Sequence, residues 1–303
     1  MELLYLFEKI RMPGLNEIML AITTLGEETA FLVIALILFW CVNKYQGYYI
    51  LSVGFVGTIA NQFLKLWFRI PRPWVLDENF TILEQAREAA SGYSFPSGHT
   101  QSAVGTLGGI AYTTKRKPVR ITAIVLAVLV PISRMYLGVH TPLDVGVSVL
   151  MALGLIFVMR PIVFKHTPKR MQLLLAAMLC LSVAYLIFVE CYPFPSDLDA
   201  HNYESGLESA YTLLGALLGM VVVYIADEKW LHFSTKAVWW AQILKVLGGL
   251  GLVLVVKSGT KEILNDLLGN SIGRSVRYFL IVVVAGIIWP LTFRWFSKLG
   301  NKE

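Results

Sequence analysis

Three observations predict an all-α fold, a polytopic transmembrane helical bundle of about nine spans. Of 303 residues, 56% are apolar and only 15% charged, whereas a soluble domain carries about 25% charged residues. Mean hydropathy is +0.64. Several apolar runs approach the roughly 20 residues a helix needs to cross a hydrocarbon core. Together these exclude a cytosolic enzyme.

Apolar runs fall near 18–42, 47–67, 100–114, 120–137, 143–164, 171–189, 206–226, 238–256 and 276–296. The first is interrupted by the polar stretch at 25–29, which separates an interfacial or inward-facing turn from the rest of the span. The N-terminal MELLYLFEK lacks the pattern of a cleaved signal and reads as a short amphipathic helix in the interface. The third run is short: about 16 residues at 1.5 Å each cover roughly 24 Å of a roughly 30 Å core, so its outer end is expected below the surface. Gly215 with Gly219, and Gly248, Gly249 and Gly251, suit close helix packing. The chain is expected to divide into a helical core at 1–165 and further transmembrane helices at 166–303.

The 26 Lys and Arg exceed the 20 Asp and Glu by six. They sit in short loops between apolar runs, a pattern of membrane topology rather than of nucleic-acid binding. Alternating the spans puts 14 basic residues on one side, among them Lys44, Lys115, Arg116, Lys117, Arg120, Lys169, Arg170 and Lys302, against 11 on the other. The positive-inside rule makes the first side cytoplasmic. The long 68–99 connection and the acidic 190–204 connection then face outward. Three cysteines, Cys41, Cys180 and Cys191, lie in or beside apolar runs and offer neither a disulfide framework nor metal-ligand spacing.

Three polar clusters break the apolar background, all on the outward side. Lys65 ends the second span, and Pro71 and Pro73 hold Arg72 in an extended segment. Alone, this pair also fits two cations snorkelling at a membrane edge. Pro96, Ser97, Gly98 and His99 precede the third span, with Ser97 as its N-cap. Gly98 lets an anion approach backbone N–H groups at the positive end of the helix. Ser133 and Arg134 are followed by His140, Thr141, Pro142 and Asp144. Thr141 and Asp144 fit a helix cap, and the same geometry lets Asp144 accept the His140 Nδ1 proton and leave Nε2 free.

In order and spacing these clusters resemble the signature of the type 2 phosphatidic acid phosphatase superfamily: lysine, six residues and Arg-Pro; Pro-Ser-Gly-His; then Ser-Arg, five residues, His, three residues and Asp. No specified position departs from it. The resemblance implies that Lys65, Arg72 and Arg134 hold the phosphate, with Ser97 and the Gly98 amide completing the cradle. It implies that His140 attacks phosphorus to give a phosphohistidine, His99 protonates the leaving oxygen and Asp144 orients His140. Three cations and aligned N–H groups suit the charge that spreads over a phosphoryl group in transfer. A single carboxylate offers no cluster for Mg²⁺, so metal-independent catalysis without a cofactor is expected.

The expected protein is an integral plasma-membrane enzyme acting on a lipid phosphate or diphosphate at the extracytoplasmic face. Undecaprenyl diphosphate is the favoured substrate class. Phosphatidic acid, phosphatidylglycerol phosphate, sphingoid-base phosphates and sugar phosphates are alternatives. A vanadate haloperoxidase would use the same pocket but is soluble in the related proteins, and a lipid-binding or transport protein would not require His99, His140 and Asp144 together. His201, Asp197, Asp199 and Glu204 read as a solvated outward loop that could rim the site. Lys245 is expected to snorkel to the cytoplasmic edge near Trp239 and Trp240. His166 and His232 read as inert loop residues.

Overall fold

The computed structural model describes residues 1–303 except Ala89, Ser91, His166, Asp197 and 300–303. The expectations for His166, Asp197 and Lys302 lie outside the described residues. Every regular element among those described is helical.

Seven helical stretches are long and apolar enough to cross a membrane: Lys44–Leu76, Lys117–Tyr136, Pro142–Phe164, Pro168–Cys191, Ala200–Leu231, Trp239–Leu268 and Asn270–Leu291. An eighth is a pair, Pro13–Gly26 and Glu28–Val42, bent by 57° at the polar interruption. The third predicted run, 100–114, is helical over 98–113, a stretch of only 16 residues with a π-helical segment Val104–Gly108 in its middle. The eighth predicted run continues past 256 through a kink at Thr260, because Lys261–Leu268 resumes the helix.

The helices used below are α1 (Glu2–Lys9), α2 (Pro13–Thr23), α3 (Glu28–Ile37), α4 (Lys44–Phe68), α5 (Pro73–Leu76), α6 (Gly98–Ala103), α7 (Gly109–Thr113), α8 (Lys117–Tyr136), α9 (Pro142–Phe164), α10 (Pro168–Cys191), α11 (Ala200–Ala226), α12 (Trp239–Gly259), α13 (Lys261–Leu268) and α14 (Asn270–Val283). Contacts group them into two compact units. The first comprises Met1–Leu32, Ile50–Arg160 and Phe194–Gly206; the second comprises Val33–Tyr49, Pro161–Pro193 and Leu207–Glu303.

In the first unit, small residues set the approach of two helices. Ala103, Leu107 and Ala111 pack on Ala123, Ala127 and Val130 of α8, with Ile22 and Leu25 against them. Small side chains let backbones close up, and van der Waals contact then supplies the association that lipid cannot. The antiparallel course of α6–α7 and α8 puts the start of α6 beside the end of α8. A second cluster, Tyr136, Leu137 and Val139 with Ala86, Phe7, Trp74 and Leu83, fixes the turn after α8. That turn depends on Gly138, whose φ of +84° is open to glycine and strained for other residues.

In the second unit the small-residue pairs behave as their sequence suggests. A Cβ added to Gly215 would fall 1.9 Å from the Ser275 carbonyl, and one on Gly219 2.8 Å from Val282, so α11 and α14 meet there at backbone distance. Gly248 and Gly249 are covered by Trp289, with Trp40 also on Gly249, whereas Gly251 meets nothing within 4 Å. Lys245 corrects an expectation: it does not snorkel. It is fully buried, its Nζ donates to the carbonyls of Trp40 at 2.9 Å and Thr235 at 3.2 Å, and it lies 4.0 Å from the Phe293 ring centroid. The Trp40 carbonyl, in the π-helical segment Leu38–Val42, and the Thr235 carbonyl, in the non-helical stretch before α12, receive the ammonium in place of water.

Candidate active site

Each polar cluster falls at the end of a helix in the first unit. α4 ends at Phe68, and the two prolines leave Arg72 extended, at φ −70° and ψ 156°, as the N-cap of α5. Ser97 caps α6, its Oγ accepting from Thr100 N at 3.4 Å. Thr141 and Asp144 form a reciprocal cap: Thr141 N donates to Asp144 Oδ2 at 2.7 Å and Asp144 N to Thr141 Oγ1 at 3.3 Å. Backbone bonds tie the clusters together, Ser94 N to Ile70 O at 2.8 Å and Ser97 N to Asp144 O at 3.2 Å.

These ends are buried. Lys65 is 7% exposed, Arg72 6%, Arg134 0%, His140 1% and Asp144 1%, which excludes a snorkelling role for the two cations of the first cluster. Lys65 Nζ donates to the Tyr93 carbonyl. Arg72 donates to Gly92 O at 3.0 Å, to Val139 O at 2.9 Å and, through Nη1, to His140 Nε2 at 2.9 Å. Arg134 Nη1 donates to Thr23 Oγ1 at 2.9 Å, while its Nε and Nη2 make no hydrogen bond. His99 Nε2 is also buried without a partner.

Arg72 Nη1 lies 2.9 Å from His140 Nε2 and 3.4 Å from Nδ1. A guanidinium only donates, so the nearer nitrogen is assigned as the acceptor and the ring proton to Nδ1. Nδ1 lies 3.5 Å from Asp144 Oδ2, an electrostatic contact longer than a good hydrogen bond. Burial, then the charges of Arg72, Arg134 and Lys65 and finally His99, hold the His140 pKa well below its usual value. The imidazole is therefore neutral at pH 7, with its unprotonated nitrogen turned toward the cations.

Three contributors carry no sequence pattern. Ser94 Oγ, fully buried, donates to Asp144 Oδ2 at 2.6 Å. Thr23 anchors Arg134 from α2. Gly26 leaves room for α6: a Cβ there would sit 2.8 Å from the His99 carbonyl oxygen. The only available hint was the polar break at 25–29. Beside Lys65, a cavity of about 20 Å³ is lined by Gln62, Gly92, Tyr93, Asn202 and Ser205, room for one water-sized group. Of the residues expected in a solvated loop, Asp199 is exposed just before α11, whereas His201 and Glu204 are exposed but helical, in the first turns of α11. Asp199 caps α11 by accepting from Asn202 N at 2.8 Å. His232 is exposed at the end of the π-helical segment Asp227–Leu231. Among the described residues no group of three His, Cys, Asp or Glu could hold a metal ion.

Helix ends of the first unit thus bury Lys65, Arg72 and Arg134 close enough to the His140 imidazole to act on it electrostatically. The chain belongs to the PAP2 superfamily: the PAP2 superfamily model matches residues 44–168, and the model described as PAP2 superfamily phosphatase, transmembrane extension, matches 211–302. It is 37% identical over 149 residues to phosphatidylglycerophosphatase B of Bacillus subtilis (strain 168), covering 45% of this chain and 69% of that protein. It is 30% identical over 145 residues to undecaprenyl-diphosphatase BcrC of the same organism, covering 46% and 70%. The crystal structure of the first transmembrane PAP2 type phosphatidylglycerolphosphate phosphatase from Bacillus subtilis aligns at 32% identity and a TM-score of 0.46, over 55% of this chain and 85% of that one.

Proposed function

We propose that this protein is a metal-independent membrane lipid phosphatase that works through a phosphohistidine on His140. The observation that carries the reading is the 2.9 Å contact between Arg72 Nη1 and the unprotonated Nε2 of His140, inside a buried cluster with Lys65 and Arg134. For attack, Nη1 transfers its hydrogen bond from Nε2 to a phosphoryl oxygen, which brings phosphorus to the nitrogen it leaves. Burial, then the charges of Arg134, Arg72 and Lys65, hold the His99 pKa down to about 2, so His99 takes up its proton only once the phosphate's negative charge offsets those cations. Nε2 then forms the P–N bond as the lipid oxygen departs with the electrons of the P–O bond and takes that proton from His99. Lys65, Arg72, Arg134, the Ser97 hydroxyl and the Gly98 N–H stabilise the equatorial oxygens. Asp144 holds the Nδ1 proton and stabilises the imidazolium that develops. Water, deprotonated by His99, next hydrolyses the P–N bond and releases phosphate.

The substrate is a membrane lipid with a terminal phosphate. Phosphatidylglycerol phosphate stands first, supported by the higher identity to phosphatidylglycerophosphatase B, 37% against 30% for the undecaprenyl-diphosphatase. Undecaprenyl diphosphate is the second reading, supported by the other relative. The loop charges support a site on the outward face of the plasma membrane, and the first unit is the catalytic core. Phosphate release by purified protein in EDTA, across a panel of lipid phosphates, tests this. The expected result is turnover of at least one of them in EDTA, and none by a folded His140→Ala variant. Full activity in that variant, or a strict need for metal, would overturn it.

A further inference from the structure

Asn61 lies one helical turn before Lys65 on α4, so the two side chains share a face. It is 3% exposed and its Nδ2 makes no hydrogen bond. Its Oδ1 lies 3.7 Å from a Cβ built on Gly98. The amide thus rests against the Pro-Ser-Gly-His turn, next to the N–H groups of the phosphate cradle. A carboxamide presents its NH₂ or its oxygen to the same spot by a half-turn. Neighbours do not satisfy it: Gln101, 3% exposed, has no partner on either amide atom, and Thr100 Oγ1 has none. An unmatched amide is costly to bury, and this one lies one helical turn from the buried Lys65. Phosphoryl oxygens accept only, so they complete such a donor where a hydroxyl or another amide is not required.

We propose that Asn61 is a further phosphate-binding residue, donating its side-chain N–H to a phosphoryl oxygen held at the Gly98 turn. The inference rests on the phosphatase reading above and adds a neutral donor to the cationic set. A neutral donor stabilises developing charge without repelling the neighbouring cations or competing for their counter-charge.

The test uses full-length protein in detergent and the near-isosteric Asn61→Leu, with Asn61→Ala as a second variant should leucine fail to fold. Three quantities are read: kcat/KM on the best lipid phosphate, inhibition by orthovanadate, and Tm. The expected result is a fall of about 100-fold in kcat/KM, the scale for one lost oxyanion donor, weaker orthovanadate inhibition, and a Tm equal to or above that of the parent because an unmatched buried amide has gone. Unchanged kcat/KM and orthovanadate inhibition with a raised Tm would overturn the proposal, since the amide would then be merely buried. A lowered Tm with unchanged activity per folded molecule would overturn it as well. If the parent hydrolyses no lipid phosphate, the phosphatase reading fails, and orthovanadate-induced thermal shifts of parent and variant still decide whether Asn61 binds the anion.

Discussion

Ser94 is the most exacting place to test how the nucleophile is held. Its hydroxyl donates to Asp144 Oδ2 at 2.6 Å in a fully buried position, and the same oxygen accepts from Thr141 N at 2.7 Å and faces His140 Nδ1 at 3.5 Å. Ser94→Ala removes one of these constraints and leaves the others. A hydrogen bond to a charged group contributes about 1.5–3 kcal/mol, which corresponds to roughly 10- to 150-fold in a rate constant. Because Asp144 also keeps its cap to Thr141, the carboxylate stays near its place, and the loss belongs at the lower end of that range. The variant should therefore lose about 10- to 30-fold in kcat with little change in KM. Phosphate release in detergent micelles measures both constants, with Tm as a control for folding. Ser94 acts through Asp144, so Ser94→Ala should cost little more when added to Asp144→Ala. Two fully additive losses, or an unchanged kcat in the single variant, would refute the reasoning.

Other expected outcomes follow from the same geometry. Gly26→Ala puts a methyl 2.8 Å from the His99 backbone oxygen, which cannot rotate away; steady-state assays should show a loss of up to about 100-fold from the displaced imidazole, with the chain still folded. His140 has a folded pKa below its unfolded value, so the nucleophile stays neutral as pH falls. A profile of kcat/KM, corrected for the phosphate's own ionisation near pH 6, should show no acid limb near pH 6.5. By the same linkage, the histidine's contribution to stability is present above its unfolded pKa of about 6.5 and declines below it as the unfolded chain takes up the proton. In the second unit, Lys44 Nζ contacts Asp227 Oδ2 at 2.6 Å, with the lysine side chain 22% exposed and the aspartate 3%. Lys44→Met leaves that carboxylate with the Phe233 N–H at 3.2 Å. Breaking a fully buried pair costs about 3–5 kcal/mol, and the partial exposure of Lys44 reduces this to about 1–3 kcal/mol, read as a lowered Tm.

The sequence revealed most where residue type and spacing are both constrained. Arg72 between two prolines, Ser97 before a helix and Asp144 three residues after Thr141 are local arrangements, and each is present where its pattern implies. The polar break at 25–29 became a 57° bend for the same reason. Ser94, Thr23 and Gly26 were not legible because they act across the fold: Ser94 is 50 residues from Asp144, and Thr23 is 111 from Arg134. Their residue types are ordinary, and only packing makes them relevant. Lys245 was misread because a lysine near tryptophans at a span end has water within reach, whereas here Trp40 and Thr235 supply the acceptors from distant parts of the chain. Asn202 and Ser205 reach the cavity beside Lys65 from the first turns of α11, where the sequence reading had expected a solvated loop.

The central claim is that His140 carries the phosphoryl group between substrate and water. Rapid quenching of the full-length protein with a lipid substrate labelled in its terminal phosphate, followed by peptide mapping, tests it most directly. Acid-labile, alkali-stable label on the peptide containing His140, formed before free phosphate appears and missing from His140→Ala, is the result the account predicts. Single-turnover release of phosphate with no protein-bound label at any time, or label on another residue, would contradict it.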